Sequence, residues 1–196
     1  MQNYAWAILV RADQEDIGNG VSFLADAEAM IAAMPAELAN TVTTDYRAFP
    51  QIDGAQGAHD KLQVVVNAGV SVMSYVGHSS RHSWSNASQA LLVSSEIACF
   101  TNIDKPHVAI QWGCWNTYFV NSACNLMADQ FLLAGEMGAV AVLGATTLTT
   151  SLEERAYGIL LNAHLYDQGV TIGKAVLRAK QDLSQGPDSS PAIQYG

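Results

Sequence analysis

Two stretches decide the fold. VSVMSYV (70–76) runs directly into Gly77, His78, Ser79 and Ser80, and HVAIQW (107–112) runs directly into Gly113, Cys114, Trp115 and Asn116. Each is an apolar run of strand length closed by glycine, which reads as a buried strand ending in a tight turn. In open α/β sheets, ligands sit beyond the carboxyl ends of the strands. Two consecutive strands of such a sheet would therefore deliver a histidine and a cysteine to the same edge.

Working outward, the same alternation continues. Tyr4 to Arg11 reads as a strand feeding the polar loop ADQEDIGNG, and Val21 to Met34 as an amphipathic helix stopped by Pro35. Thr41 to Tyr46 is β-branched and breaks at Pro50 and Gly54, so a second strand is expected there. A helix over Ala58 to Ala68, with Gly69 as its C-cap, precedes the strand Val70 to Val76. Helices are expected over Asn86 to Leu92, Ser122 to Ala134, Glu153 to Asp167 and Ile172 to Leu183, with strands at His107 to Trp112 and Ala139 to Gly144. Repeated β-then-α units with strands apolar on both faces predict an α/β three-layer αβα domain with a mostly parallel sheet. The domain is expected to span residues 1–183, with 184–196 a tail rich in Ser, Gly and Pro.

Composition bounds the function. The 196 residues are 49% hydrophobic and 14% charged, enough apolar side chains for one packed domain and unlike a disordered chain. A formal charge of −9 repels phosphate backbones, so nucleic acid is not an expected partner. The longest apolar runs fall far short of the roughly 20 residues that a membrane-spanning helix needs, and Met1 to Val10 has no signal-peptide pattern. No Gly-x-Gly-x-x-Gly follows a strand, which argues against a dinucleotide-binding alternative. Cys99, Cys114 and Cys124 are odd in number and match neither a disulfide framework nor zinc-ligand spacing. Burial as small apolar residues is the plain expectation for Cys99 and Cys124.

Cys114 differs because of its position. A thiolate can attack a carbonyl while a neighbouring imidazolium protonates the leaving amine, and cysteine is the side chain closest to ionisation at neutral pH. The glycines before each residue, Gly77 and Gly113, permit close backbone approach, and the amides of Gly77 and Cys114 are candidates for an oxyanion site. A buried structural thiol beside an unrelated loop histidine is the bland alternative. His82 reads as a surface residue, and His59, His107 and His164 as structural.

The blocks GVSVMSYVGHSSRHSWSN (69–86) and HVAIQWGCWNTYFVNSACNLMADQFLLAGEMGAVAVLGATTLTTS (107–151), in this order and at this spacing, resemble the gingipain family of cysteine peptidases in the caspase-like clan. The resemblance runs from ILVRAD (8–13) through TIGKAVLRAK (171–180). It implies a caspase-like fold, His78 as general acid/base, Cys114 as nucleophile, a polypeptide substrate and no organic cofactor. The chain departs from the family pattern at Ser79, where glycine is usual, at the bulky run Trp115 to Tyr118, and at Asp129, where glutamate is typical. These departures keep an inactive scaffold or protein-binding module as an alternative, and a transpeptidase sharing the thioacyl intermediate as another.

The resemblance also implies a pocket selecting one side chain before the scissile bond, near the strand ends and the loop after AVAVLG (139–144). Val76, Trp112, Trp115 and the segment Thr146 to Glu154 are the corresponding candidates. Glu153 or Glu154 would pair with Arg or Lys of the substrate, or would simply favour the dipole at the start of a helix. Asp13 and Asp16 are positional candidates to orient His78, against the plainer reading of a solvated acidic loop. The same carboxylates suggest calcium only weakly, since DQEDIGNG (13–20) lacks the alternation of an EF-hand loop. Family sequences commonly continue past this ending and are typically exported, so further domains and an extracellular setting are expectations of the resemblance.

Overall fold

The computed structural model describes residues 7–39, 42–43, 54–85, 90–120 and 126–185. Five parallel strands form the central sheet in the order β2-β1-β3-β6-β7: β1 (Ile8–Ala12), β2 (Val42–Thr43), β3 (Val72–Val76), β6 (His107–Trp112) and β7 (Ala139–Gly144). The helices are α1 (Phe23–Ala32), α2 (Ala36–Ala39), α3 (Gly54–Ala68), α4 (Met127–Leu132), α5 (Ser151–Leu165) and α6 (Ile172–Ser184).

The period-2 geometry of a strand sends alternate side chains to opposite faces, and the two cores follow that alternation. Ile8, Val10, Ala12, Val72, Val76, Ile110 and Trp112 pack with Phe23 and Met30 of α1, Tyr157 and Leu161 of α5, and Ala175 and Ala179 of α6. On the other face Leu9, Met73, Tyr75 and Ala109 meet Leu62 and Val66 of α3 and Phe131 of α4. Both faces are covered, as expected for strands that read as near-continuous apolar runs. Trp112 and Tyr157 meet edge to face at 5.7 Å between ring centroids, anchoring α5 to the sheet. Tyr75 stacks on Trp84 at 4.6 Å.

Most expected elements are present, with shifted ends. The first strand begins within the described residues at Ile8, and of the span Thr41 to Tyr46 only Val42–Thr43 is described, paired parallel to β1. The helix expected over Asn86 to Leu92 is not formed in its described part. There, β4 (Ser83–Trp84) and β5 (Leu92–Val93) pair antiparallel, and a 3₁₀ helix (Ser94–Cys99) follows. The reason is tertiary: Trp84, Leu91 and Leu92 are wholly buried under the sheet, and a hairpin inserts them together where a helix would expose part of its circumference. α4 starts at Met127, and Asn121 to Asn125, including Cys124, lie outside the described residues. Cys99 is exposed at the end of the 3₁₀ helix, contrary to its expected burial. The tail expected from Ser184 is described only to Gln185, with Ser184 the last residue of α6.

His107, at the start of β6, has the structural role expected of it. It is buried edge-on against Phe131, with Nδ1 3.4 Å from the Asn102 amide. Burial pulls its pKa down to about 4 from the ordinary 6.5. The folded chain thus keeps His107 neutral while the unfolded chain takes up a proton below pH 6.5. Stability is fully present above that pH and falls as the pH drops toward 4, by about 3 kcal/mol from this residue. Urea unfolding at pH 7 and pH 5 is expected to show about 2 kcal/mol of this loss, and a His107→Gln variant to show a shallower dependence on pH.

Candidate active site

The site is built where β1, β3, β6 and β7 end. Val76 and Trp112 are register partners of β3 and β6, and the Gly77 amide donates to the Trp112 carbonyl at 2.9 Å. One residue further, the two chains touch. A Cβ at Gly113 would lie 2.5 Å from the Gly77 carbonyl oxygen and still closer to Ser79 Oγ, and a Cβ at Gly77 would lie 2.6 Å from the Tyr75 hydroxyl. Glycine is required at 77 by the side chains of Asp13 and Tyr75, and at 113 by this contact between the turns. It also corrects the expected role of Gly77: its N–H is committed to Trp112 and is not offered to a ligand.

His78 follows on a turn held from three sides. Its amide donates to Asp13 Oδ2 at 3.2 Å, its carbonyl accepts the Tyr75 hydroxyl at 2.6 Å, and the same carbonyl accepts the Ser85 amide at 2.7 Å. Asp13 is buried, which raises its pKa, opposed by hydrogen bonds from Ser85, the Gln14 amide and Tyr75. Its role is to hold the turn. The imidazole itself is oriented by Asp16, whose Oδ2 lies 2.9 Å from His78 Nε2, and the ring packs edge-on to Phe23 at 5.0 Å. Hydrogen bonds from Asn19 and then His78 hold the Asp16 carboxyl below its ordinary pKa, so it is ionised at neutral pH. Of the two candidate carboxylates, then, Asp16 reaches the ring and Asp13 the backbone.

Cys114 sits half-buried in a cradle made by Thr149, from the loop after β7. Its Sγ accepts the Thr149 amide at 3.5 Å and lies 3.6 Å from both the Thr149 carbonyl oxygen and Oγ1. The Thr149 hydroxyl in turn donates to Glu154 Oε1. Glu154 is buried, whereas Glu153 completes a capping box, with its side chain accepting the Thr150 amide at 3.0 Å. The two glutamates thus divide the roles that sequence left open between them.

Asp16, His78, Gly113, Cys114, Thr149 and Glu154 line one hollow of about 290 Å³. It joins both carboxylates to the thiol and imidazole, and among the described residues that line it there is no Lys or Arg. Val76 and Trp112 do not line it. Each is only 1% exposed and belongs to the core, and Trp112 Nε1 donates to Ser74 Oγ at 3.2 Å. They were candidates because they precede the site residues in sequence, but the strand alternation turns both side chains inward toward α5. Trp115 lines a separate hollow.

Sequence reasoning reached Thr149 only as part of the segment Thr146 to Glu154, and it gave no site role to Asn116 or to the hydroxyl of Ser79. Buried Ser79 donates to the Cys114 carbonyl at 2.8 Å and accepts from Asn116 Nδ2 at 3.1 Å, while Asn116 Oδ1 accepts the Ala145 amide at 3.2 Å. The serine in place of the usual glycine therefore ties the His78 and Cys114 loops and the end of β7 together. Among the described residues, no group of three His, Cys, Asp or Glu side chains is placed to hold a metal. His82 is exposed, and His59 and His164 pair with Glu96 and Asp182 away from the hollow.

A parallel sheet displaying a thiol and a carboxylate-bound imidazole at adjacent strand ends places the chain in the caspase-like class of α/β folds. A family model, peptidase family C25, matches residues 3–195, and the chain belongs to that family. Among solved structures it is similar to the Arg-specific cysteine proteinase gingipain R (RgpB), with a TM-score of 0.73, 14% identity, and coverage of 97% of this chain and 45% of that one. A complex of the pro- and mature domains of RgpB from Porphyromonas gingivalis matches with a TM-score of 0.74 at 14% identity, covering 97% of this chain and 46% of that one. A structure described only as a protease matches with a TM-score of 0.77 at 15% identity, covering 100% of this chain and 47% of that one. The chain therefore spans a little under half the length of these structures. No curated protein matches the sequence.

Gly113→Ala tests the contact on which the site rests. The added methyl must displace Ser79 and the Gly77 carbonyl, so chemical denaturation is expected to show a loss of about 1–3 kcal/mol, together with altered reactivity at Cys114.

Proposed function

We propose that this chain is the catalytic domain of a cysteine endopeptidase that cleaves after a lysine or arginine. The observation that carries this reading is the shared hollow, in which Cys114 and His78 lie with the carboxylates of Asp16 and Glu154.

The roles follow from the contacts. With Nε2–H of His78 donated to Asp16, Nδ1 is the nitrogen that exchanges protons on the substrate side. It takes the proton of Cys114 Sγ, the sulfur attacks the scissile carbonyl carbon, and the imidazolium gives that proton to the leaving amine as the C–N bond breaks. A thioester remains on Sγ. Water then attacks it, giving its proton to Nδ1, and the acid product leaves as the thiol is restored. The Cys114 amide is the donor assigned to the oxyanion. No organic cofactor enters any step, and the polypeptide is the only partner that the chemistry requires. Resolution of the thioester by an amine, as in a transpeptidase, would use the same groups.

Specificity for a basic side chain rests on charge. A lysine or arginine entering the hollow meets Glu154 in a partly enclosed site, where an ion pair is screened less than at the surface. Two features of this chain support an active domain over an inert scaffold. The bulky Trp115 and Tyr118 line a different hollow from Cys114, and Ser79 is engaged in holding the Cys114 loop. Family membership further favours an exported protein with additional domains.

Iodoacetamide labelling across pH, read by mass spectrometry at each cysteine, tests the catalytic pair. Cys114 is expected to react fastest near neutral pH, and His78→Ala to remove the advantage. Equal reactivity of Cys114 and exposed Cys99 in the unmodified chain would instead favour the scaffold. For specificity, peptides with Lys or Arg before the cleaved bond should turn over at least tenfold better than those with Leu. Glu154→Gln should narrow that gap.

A further inference from the structure

A second hollow, of about 400 Å³, opens immediately beside the first and is lined by Ser79, Ser80, Arg81, Trp115 and Tyr118. It is reached by moving one residue along each catalytic loop, from His78 to Ser79 and from Cys114 to Trp115. Its character is opposite to that of its neighbour. Among the described residues, the hollow at Cys114 is lined by two carboxylates and no Lys or Arg, whereas this one is lined by a guanidinium, two aromatic rings and no carboxylate.

The cation is unusual in this chain. Only 9 Lys and Arg stand against 18 Asp and Glu. Arg155 and Arg178 pair with Asp26 and Asp167. Arg81 is exposed, and its guanidinium carbon lies 5.5 Å from the centre of the Tyr118 ring. The ring attracts the guanidinium as a cation over its face, and an exposed guanidinium is the group that grips a carboxylate with two parallel hydrogen bonds.

The aromatic wall is also built at a cost. Trp115 has φ of +62°, in the left-handed region that bulky residues rarely adopt. It is fixed there by its amide donating to the Thr147 carbonyl at 3.0 Å and by its carbonyl accepting the Tyr118 amide at 3.2 Å. Its indole meets Tyr118 edge-on at 5.0 Å. A strained residue held by its surroundings beside a catalytic cysteine points to a function for its side chain.

From these observations we infer that the Arg81–Trp115–Tyr118 hollow is a second substrate subsite, one that binds a carboxylate of the peptide within a few residues of the basic side chain held at Glu154. The inference rests on the reading of Cys114 and His78 as the catalytic pair. The favoured substrate is thus dipolar, with a cation on one side of the nucleophile and an anion on the other. The carboxylate comes either from an Asp or Glu side chain or from the free C-terminus of a short peptide.

The test uses fluorogenic peptides containing one Lys, with a single Glu walked from two residues before it to three after, each compared with its Gln counterpart. A parallel set has no Glu and ends in a free or an amidated C-terminus. The unmodified protein is expected to favour Glu over Gln by at least tenfold in kcat/KM at one position, with the preference shrinking as salt rises. Arg81→Gln should collapse that ratio, and Arg81→Glu should reverse it toward a Lys at the same position. A preference seen only in the second set assigns the subsite to the terminal carboxylate. A ratio near one at every position and in both sets, or one that Arg81→Gln leaves unchanged, overturns the proposal.

Calorimetric titration of the same peptides into Cys114→Ala separates the two readings. If no peptide is turned over by the unmodified protein but the Glu-to-Gln affinity ratio is present and depends on Arg81, the subsite stands and the peptidase reading fails. If turnover is present without the ratio, the reverse holds.

Discussion

The contact between the Gly77 and Gly113 turns is the constraint on which the site depends. The ladder between β3 and β6 closes with the Gly77 amide on the Trp112 carbonyl, and past that bond the two backbones stay in van der Waals contact. A side chain at Gly77 would collide with Asp13 and Tyr75, which hold the histidine turn, and one at Gly113 would force the loops apart. Because they cannot separate, the next residue of each, His78 and Cys114, emerges into one hollow. Parallel pairing in register sets which residues leave the sheet, and the absence of a Cβ at Gly113 sets how close together they leave it.

Around that contact, polar groups are arranged in two sets with different functions. Asp13, Tyr75 and Ser85 act on the backbone of the histidine turn, while Ser79, Asn116 and the Ala145 amide act on the backbone of the cysteine turn. Asp16 and Thr149 reach the reacting atoms themselves. Burying so many hydrogen-bonding groups is tolerable because each is partnered, and the same partnering makes the loops stiff. The proposed activity would gain from that stiffness, since a nucleophile and base must meet a substrate in one geometry.

The charge of the chain has a local meaning as well as a global one. Eighteen acidic residues give a surface that repels polyanions, yet the carboxylates that bear on chemistry are few and partly shielded from water. Glu154 is buried at the head of α5 and meets the hydroxyl of the residue that cradles the thiol. Arg81 stands at the opposite side of the catalytic loops. The polarity of the groove therefore comes from three or four side chains, not from the net charge.

The sequence by itself determined the parallel three-layer architecture, because strands apolar on both faces are stable only between helices, and it determined the two strand-end residues, because glycine closes each run at the carboxyl edge. It also exposed Asp13, Asp16, Glu153 and Glu154 as carboxylates in the right loops. Only the tertiary structure assigned their work, sending Asp16 to the ring, Asp13 to the backbone, Glu154 into the hollow and Glu153 to a helix cap. For the two aspartates the choice rests on contacts between segments more than 60 residues apart, His78 to Asp16 at 2.9 Å and to Asp13 at 3.2 Å, which no local pattern records. The same holds for the misread features. Val76 and Trp112 face the core because strand register turned them there, and the Leu91–Leu92 segment became a hairpin because the sheet offered it a buried place beside Trp84. Local periodicity fixes which elements form, and packing against distant partners decides what each side chain meets.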